Sequence, residues 1–245
     1  MTELECIFEK KIECPVCDRE FMNQTIRTGK IRQVGMDTDL RARYIGADAN
    51  KYDVIACPHC GYAALTRFFG HLTPTQRKTL KTQVAASYKG VVYSSGTPYT
   101  YDEVIMRYKL ALANAMTINA KLSEKADICL KLAWVYRGKA EELKEQGQLS
   151  EETEKQLKEN EEHFLNAAYD GFTHAYTEEM LPFCGFDRPT LELLLADLAR
   201  KRKEYDTAKK YISMIITTRG NSSRIKEKAR DLREMIDKEL ENGVE

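Results

Sequence analysis

The sequence lacks several features that define broad classes of protein. No apolar stretch approaches the roughly 20 residues that a membrane-spanning helix needs, and the N-terminus shows no basic segment followed by an apolar one. Neither sign of charge is in excess, because 38 Lys and Arg residues balance 38 Asp and Glu residues. These absences predict a cytoplasmic protein without a membrane segment. They also argue against a dedicated nucleic-acid coat, although a local basic patch is compatible with them.

The chain also lacks the residue patterns of common catalytic sites. It contains no glycine-rich phosphate-binding motif, and His71, His163 and His174 are isolated from any pattern of Ser or Cys nucleophiles. Asp37 and Asp39 could form a carboxylate pair for acid–base chemistry, but hydrogen bonding to backbone and to neighbouring Arg residues is the preferred interpretation. We therefore predict that the protein is not an enzyme.

The pattern of apolar residues changes once along the 245 residues. Up to about residue 72, β-type sequence alternates with turns, and residues 20–34 are predicted to form two strands joined by a turn at Thr28-Gly29-Lys30. From residue 73 the apolar residues follow a helical period, and capping-box spacings at Thr73 and Thr100 begin helices. The sequence thus predicts a mainly α fold, with a small β-rich, zinc-ribbon-like module at residues 1–72 followed by a TPR-like α-helical domain at residues 73–245.

The prediction of a TPR-like region depends on three similar segments that begin at Tyr101, Leu165 and Tyr205. In each, large and smaller apolar residues follow at offsets of 3, 7, 10 and 11 residues. This pattern is typical of the second helix of a tetratricopeptide repeat, where small residues let the partner helix approach closely. The segments begin 64 and 40 residues apart, so insertions interrupt the array. An ordinary bundle of amphipathic helices is the alternative.

Four of the seven cysteines form two C-x-x-C pairs, Cys14/Cys17 and Cys57/Cys60. In such a knuckle a tight turn presents both sulfurs on one side, and backbone N–H groups can donate to the thiolates. Two knuckles provide four tetrahedral ligands and leave no position for substrate, so we predict a structural Zn²⁺ site. Iron in the same cage is the chemical alternative. A further alternative is that the two C-x-x-C turns are unrelated and that one of them is a redox pair. Cys6 could be a spare ligand, but a free thiol is preferred.

The charges are unevenly distributed, although their sum is zero. Residues 141–162 hold nine acids against three Lys residues, whereas residues 200–235 hold twelve bases against five acids. Solvated helix faces are the preferred interpretation. The alternative is that this polarity steers a charged partner or supports head-to-tail self-association.

Several longer motifs, taken together, cover nearly all of the chain. They include CPVCDREF at residues 14–21, YDVIACPHCGYAA at 52–64, FLNAAYDGFTHAY at 164–176 and LLLADLARKRKEYDTAKKYIS at 193–213. This combination resembles the bacterial DUF2225 family, an uncharacterised group with an N-terminal four-cysteine metal site and a C-terminal tetratricopeptide-like region. The resemblance implies metal binding by Cys14, Cys17, Cys57 and Cys60, and it implies no reaction and no partner. The chain departs from the repeat pattern at Lys203, where such repeats usually turn on Gly.

The leading functional hypothesis is a cytoplasmic zinc-binding scaffold or adaptor whose helices present a surface to a protein or peptide. A nucleic-acid-binding zinc ribbon is the second hypothesis, since six bases and two tyrosines lie between the knuckles: Arg27, Lys30, Arg32, Arg41, Arg43, Lys51, Tyr44 and Tyr52. A redox protein with an iron–thiolate cage is the third. The oligomeric state and the identity of any partner are not predicted.

Overall fold

The computed structural model describes residues 2–90 and 96–242. These ranges leave out residue 1, residues 91–95 and residues 243–245. The predicted regions 1–72 and 73–245 therefore extend slightly beyond the described residues. Within the described ranges, six short strands precede seven α-helices. A mainly α fold with a small strand-rich N-terminal region is therefore confirmed. None of the described helices combines the length and the apolar character needed to cross a bilayer.

The strands form three separate antiparallel ribbons. They are β1 (Ile7–Glu13) with β2 (Glu20–Ile26), β3 (Arg32–Met36) with β4 (Ala42–Ile45), and β5 (Val54–Ala56) with β6 (Ala63–Leu65). Each cysteine pair lies in the turn of a ribbon, Cys14 and Cys17 between β1 and β2, and Cys57 and Cys60 between β5 and β6. Residues 20–34 form strands on either side of a 3-10 turn at Thr28–Lys30 as predicted, but β2 and β3 pair with different partners.

The helices are α1 (Pro74–Thr79), α2 (Tyr101–Thr117), α3 (Leu122–Glu145), α4 (Glu151–Glu178), α5 (Arg188–Lys201), α6 (Tyr205–Thr217) and α7 (Ser223–Asn242). A π-helical turn, Leu80–Ala85, continues α1. The capping boxes predicted at Thr73 and Thr100 are both present. The acidic residues 141–162 form the end of a helical hairpin, because α3 ends at Glu145 and the Ser150 side chain caps the start of α4.

The three segments predicted as repeat copies are helical and are buried in the same way. The positions at offsets 3, 7 and 10 are buried in every copy: Val104, Tyr108 and Ala111 in α2, Ala168, Phe172 and Ala175 in α4, and Ala208, Ile212 and Ile215 in α6. An amphipathic bundle would bury these positions as well. The tetratricopeptide-like repeat therefore stays a prediction.

The hydrophobic core continues from the strand-rich region into the helices. One cluster joins Tyr52 and Val54, from the segment that leads into the second knuckle, to Val104 and Tyr108 of α2 and to Ile128 of α3. A second cluster fills the space among helices α3 to α7, and a third surrounds the paired cysteines. The boundary between residues 72 and 73 stays a prediction, and apolar packing crosses it.

Candidate metal centre

The sulfur atoms of Cys14, Cys17, Cys57 and Cys60 lie within 4.8 Å of one another. Sγ of Cys14 is 3.6 Å from Sγ of Cys60, and Sγ of Cys17 is 3.7 Å from Sγ of Cys57. A tetrahedral site with metal–sulfur bonds of about 2.3 Å has sulfur–sulfur distances of about 3.8 Å, whereas a disulfide bond is about 2 Å long. The four thiols are free, and their spacing suits one metal ion.

The two knuckles have the same backbone conformation. The N–H of Asp18 donates to the carbonyl of Cys14 at 2.9 Å, and the N–H of Gly61 donates to the carbonyl of Cys57 at 3.1 Å. Asp18 and Gly61 follow the second cysteine of their pairs, and both have left-handed backbone, with φ of 59° and 73°. Asp is one of the few residues besides Gly that adopts this conformation readily. The Val16 N–H points at Sγ of Cys14 at 3.4 Å, which is the backbone donation expected for a thiolate ligand.

The sulfur cluster is enclosed by apolar side chains. Cys14, Cys57 and Cys60 are buried, and Cys17 is partly exposed. Tyr62 and Phe69 stack beside the cluster with ring centroids 4.9 Å apart, and Leu80 is fully buried against it. This shell limits the access of water to a bound ion and strengthens the ion's attraction to thiolates.

The thiols strongly influence one another's ionisation. Hydrogen bonds with Cys14 and Cys60 lower the pKa of Cys57 to about 2, while hydrogen bonding to Cys14 and Cys57 raises the pKa of Cys60 far above its usual range. The hydrogen bond with Cys57 raises the pKa of Cys14 to about 12. Four thiolates in one cage repel each other, so they can all be ionised only around a cation. The chemistry of the four residues therefore fits a divalent metal, with soft sulfur ligands that suit zinc or iron.

Helix α1 and the turn that follows it cover the second knuckle, and sequence reasoning missed this contact. A Cβ atom built on Gly61 would lie 2.5 Å from the ring of Tyr88. Arg77 and Lys81 form ion pairs with Asp18 of the first knuckle. The helix start at Thr73, shortly after the second cysteine pair, is the signal that could have placed a helix beside the metal site.

His59 and the three remaining cysteines lie outside the cluster of four sulfurs. His59 is exposed, and its Nε2 is 3.3 Å from the Glu20 carbonyl oxygen. Cys6 is buried, with its thiol directed at the Lys30 carbonyl at 3.6 Å. Cys129 packs in the helical core, and the Cys184 thiol donates to the Ser123 carbonyl at 3.3 Å.

Asp37 and Asp39 form ion pairs rather than an acid–base pair. Asp39 is fully buried, with Lys201 Nζ at 2.7 Å, and Arg137 bonds to both carboxylates. Burial alone would raise the pKa of Asp39, but hydrogen bonds from Arg137 and the charge of Lys201 lower it well below its usual range. The nearby Arg43 also binds Asp37, at 2.7 Å, as predicted. Arg137 in α3 and Lys201 in α5 are distant in sequence, and no local pattern indicated them.

Most of the bases considered for nucleic-acid binding have internal partners. Arg41 pairs with Asp48 at 3.1 Å, and both Arg41 and Arg43 pair with Glu141 of α3. Lys51 pairs with Glu3, Arg27 donates to the Ile7 carbonyl, and Tyr52 is buried with its hydroxyl bonded to Glu3. Of the six bases, Arg27, Lys30 and Arg32 are exposed and form no ion pair within the described residues.

Comparison with known proteins yields one family and one short match. The model of a family described as "Uncharacterized protein conserved in bacteria (DUF2225)" matches residues 7–236, a range that includes all four paired cysteines. An uncharacterised protein of Borreliella burgdorferi is 28% identical over 89 residues, which is 33% of this chain and 32% of that protein. The match therefore spans about a third of that relative's length. No solved structure matches the chain significantly.

Proposed function

This chain belongs to the DUF2225 family of uncharacterised bacterial proteins, and we propose that it is a non-enzymatic zinc-binding scaffold that presents a surface to a protein partner. The observation that carries the proposal is the cage of four sulfurs within 4.8 Å of one another. Four protein ligands fill every position of a tetrahedral ion, so neither water nor substrate can coordinate it. Zinc in such a site stabilises the fold and performs no chemistry.

Zinc is assigned in preference to iron because four-cysteine cages built from two knuckles are the usual form of structural zinc sites. The ion would link the turn of the β1–β2 ribbon to the turn of the β5–β6 ribbon, two segments about 40 residues apart in the sequence. Structural zinc contributes on the order of 10–16 kcal/mol in small zinc peptides. A contribution of this size can hold together ribbons that have only two strands each.

The surface of the protein supports a role in binding another protein. Two of its exposed methionines, Met36 (44%) and Met235 (36%), line the same surface cavity. Methionine is flexible and apolar, and it is frequent on surfaces that adapt to a partner. The polar groups of the strand-rich region that could have served catalysis or phosphate binding, such as Asp39 and Arg41, are instead engaged in ion pairs with the helices.

The metal assignment is tested by elemental analysis of protein from cells grown with both zinc and iron. We expect about one zinc ion per chain in the wild type and loss of zinc in Cys57→Ser/Cys60→Ser. Cys129→Ser is the matched control, because Cys129 is a buried cysteine outside the cage. A coloured, iron-loaded wild-type protein would instead support the redox alternative.

The scaffold assignment is tested by affinity capture from native bacterial extract, with and without nuclease, followed by mass spectrometry. A nuclease-resistant protein partner is the expected result. Material that disappears with nuclease would support nucleic-acid binding. A strictly monomeric protein that captures nothing under mild conditions would contradict the scaffold assignment.

A further inference from the structure

Strand β3 has one free edge. It pairs with β4 on one side, and no other strand within residues 2–90 and 96–242 pairs with it. All five of its residues are exposed, including the apolar Val34 (53%) and Met36 (44%). The unpaired N–H and C=O groups of such an edge can bind an added strand from another molecule.

An apolar groove begins where β3 ends. Its volume is about 230 Å³, and Met36, the last residue of β3, forms part of its rim. Leu193 of α5 and Leu232 of α7 form its buried floor, and Met235 of α7 also lines it with 36% of its surface exposed. Sites for whole small molecules usually measure about 300–1,000 Å³, so this volume suits a single apolar side chain better than a free ligand.

The charges around this surface favour an acidic partner. Lys30 and Arg32 near the start of β3, and Lys228 on the groove, form no ion pair within the described residues. On the acidic side, Glu5 lies within electrostatic range of Lys30, and Asp231 forms no ion pair with any described residue, while the Asp37 carboxylate is already bound by Arg43 and Arg137. Cations without an ion pair therefore outnumber free carboxylates on this surface, which attracts acidic segments and selects against basic ones.

The groove is held in place before any partner binds. The loop after β3 is tied to α3 by ion pairs of Asp37 and Asp39 with Arg137, and to α5 by the pair of Asp39 with Lys201. A preformed backbone reduces the entropy lost on binding. The flexible methionine side chains at the rim allow apolar groups of different shape to fit.

We propose that the edge of β3 and the adjoining groove bind an extended, acidic peptide segment of a partner protein. The segment adds a strand to β3, inserts one apolar side chain between Met36 and Met235, and places its acidic residues beside Lys30 and Arg32. This inference rests on the proposed scaffold function and names the kind of partner that the scaffold recognises.

The test is selection of a random peptide library on the zinc-loaded full-length protein, followed by fluorescence anisotropy with the enriched peptides. We expect peptides that combine β-forming residues, a large apolar residue and acidic residues. Their affinity should fall at least tenfold, or about 1.4 kcal/mol, in Met36→Glu/Met235→Glu and in Lys30→Glu/Arg32→Glu. Met116→Glu/Met180→Glu is the matched control, since both methionines are exposed elsewhere (61% and 92%), and it should change affinity less than about twofold.

Hydrogen exchange gives a second readout that does not depend on substitutions. Bound peptide should slow exchange of those backbone amides of β3 that point away from β4, because they would donate to the added strand. Enriched peptides that bind the groove variants as tightly as the wild type, or a selection without enrichment, would overturn the docking site. Self-association abolished by the groove variants would assign the site to a second copy and overturn the peptide proposal. The scaffold function itself fails separately, if capture from native extract stays empty.

Discussion

Replacement of Asp39 by Asn removes one charge from the centre of a buried ion-pair cluster. Asp39 is completely buried and binds Arg137 and Lys201, whose side chains are 16% and 25% exposed. Asn has nearly the same volume as Asp, so the substitution opens no cavity and tests the electrostatic interaction alone. We expect Asp39→Asn to fold and to be substantially less stable than the wild type.

The expected magnitude follows from the partners that remain. Removal of one member of a buried ion pair typically costs about 3–5 kcal/mol, because the other charge stays buried without compensation. Arg137 keeps Asp37 and Glu161, and Lys201 keeps a weaker contact with Asp197 at 3.5 Å. Both cations are also slightly exposed, so we expect the lower end of that range, about 3 kcal/mol of unfolding free energy.

Chemical denaturation at pH 7 and a fixed zinc concentration measures this difference. Asp102→Asn is the matched control, since Asp102 forms an ion pair with Lys139 but is 78% exposed, and its substitution should cost less than about 1 kcal/mol. In the folded protein, hydrogen bonds from Arg137 and the charge of Lys201 outweigh burial and lower the pKa of Asp39. The stabilisation is therefore complete above the unfolded pKa of about 3.9, and the difference should stay constant between about pH 5.5 and 8. A difference below about 1 kcal/mol, or one that varies across this range, would refute the reasoning.

Three further predictions concern single residues. Lys203→Gly should raise the melting temperature by about 2–4 °C, because Lys203 has left-handed backbone with φ of 63°, which Gly adopts without steric cost. An unchanged or lower melting temperature would contradict this. Gly61→Ala should speed zinc transfer to a chelator, because Gly61 has a φ of 73° and an added Cβ would lie 2.5 Å from the Tyr88 ring. Gly29→Ala is the control and should match the wild type, since a Cβ added at Gly29 has no neighbouring atom within 4 Å. Burial raises the pKa of Glu124 from 4.5 to about 6, so its ionisation destabilises the fold progressively as pH rises from 4.5 to about 6. Glu124→Gln should therefore stabilise the protein at pH 7.5, and a gain that does not shrink as pH falls toward 5 argues against this cause.

The four-cysteine cluster could be predicted from the sequence because each of its two knuckles is determined locally. Each knuckle is a turn of five residues, and its cysteine spacing places both sulfurs on one side whatever the rest of the fold does. The helix starts at Thr73 and Thr100 were predictable for the same reason, since a capping box involves residues only three positions apart. At Lys203, where tetratricopeptide repeats usually turn on Gly, the structure shows left-handed backbone.

The contacts that join the two regions could not be predicted because they are long-range. Asp39 lies 98 residues from Arg137 and 162 residues from Lys201. A lone Asp in a loop and a Lys at a helix end carry no signal of their pairing, since both are common on solvated surfaces. The sequence also did not show that β1 pairs with β2 and that β3 pairs with β4, because neighbouring strands can form hairpins in more than one combination. The interpretation of residues 20–34 found two strands without assigning their partners.

The proposed docking groove depends on these long-range contacts. Met36 and Leu40 come from the strand-rich region, whereas Leu193 and Leu232 come from α5 and α7, so neither region forms the groove alone. The ion pairs of Asp39 fix the loop after β3 against α3 and α5. They thereby hold the groove residues of the strand-rich region beside those of the helices. A scaffold whose binding surface spans two regions needs them to remain in a fixed arrangement, which the shared core and the buried ion pairs provide. Asp39→Asn should consequently weaken peptide binding under conditions where the variant is still fully folded, because the walls of the groove are then less firmly held.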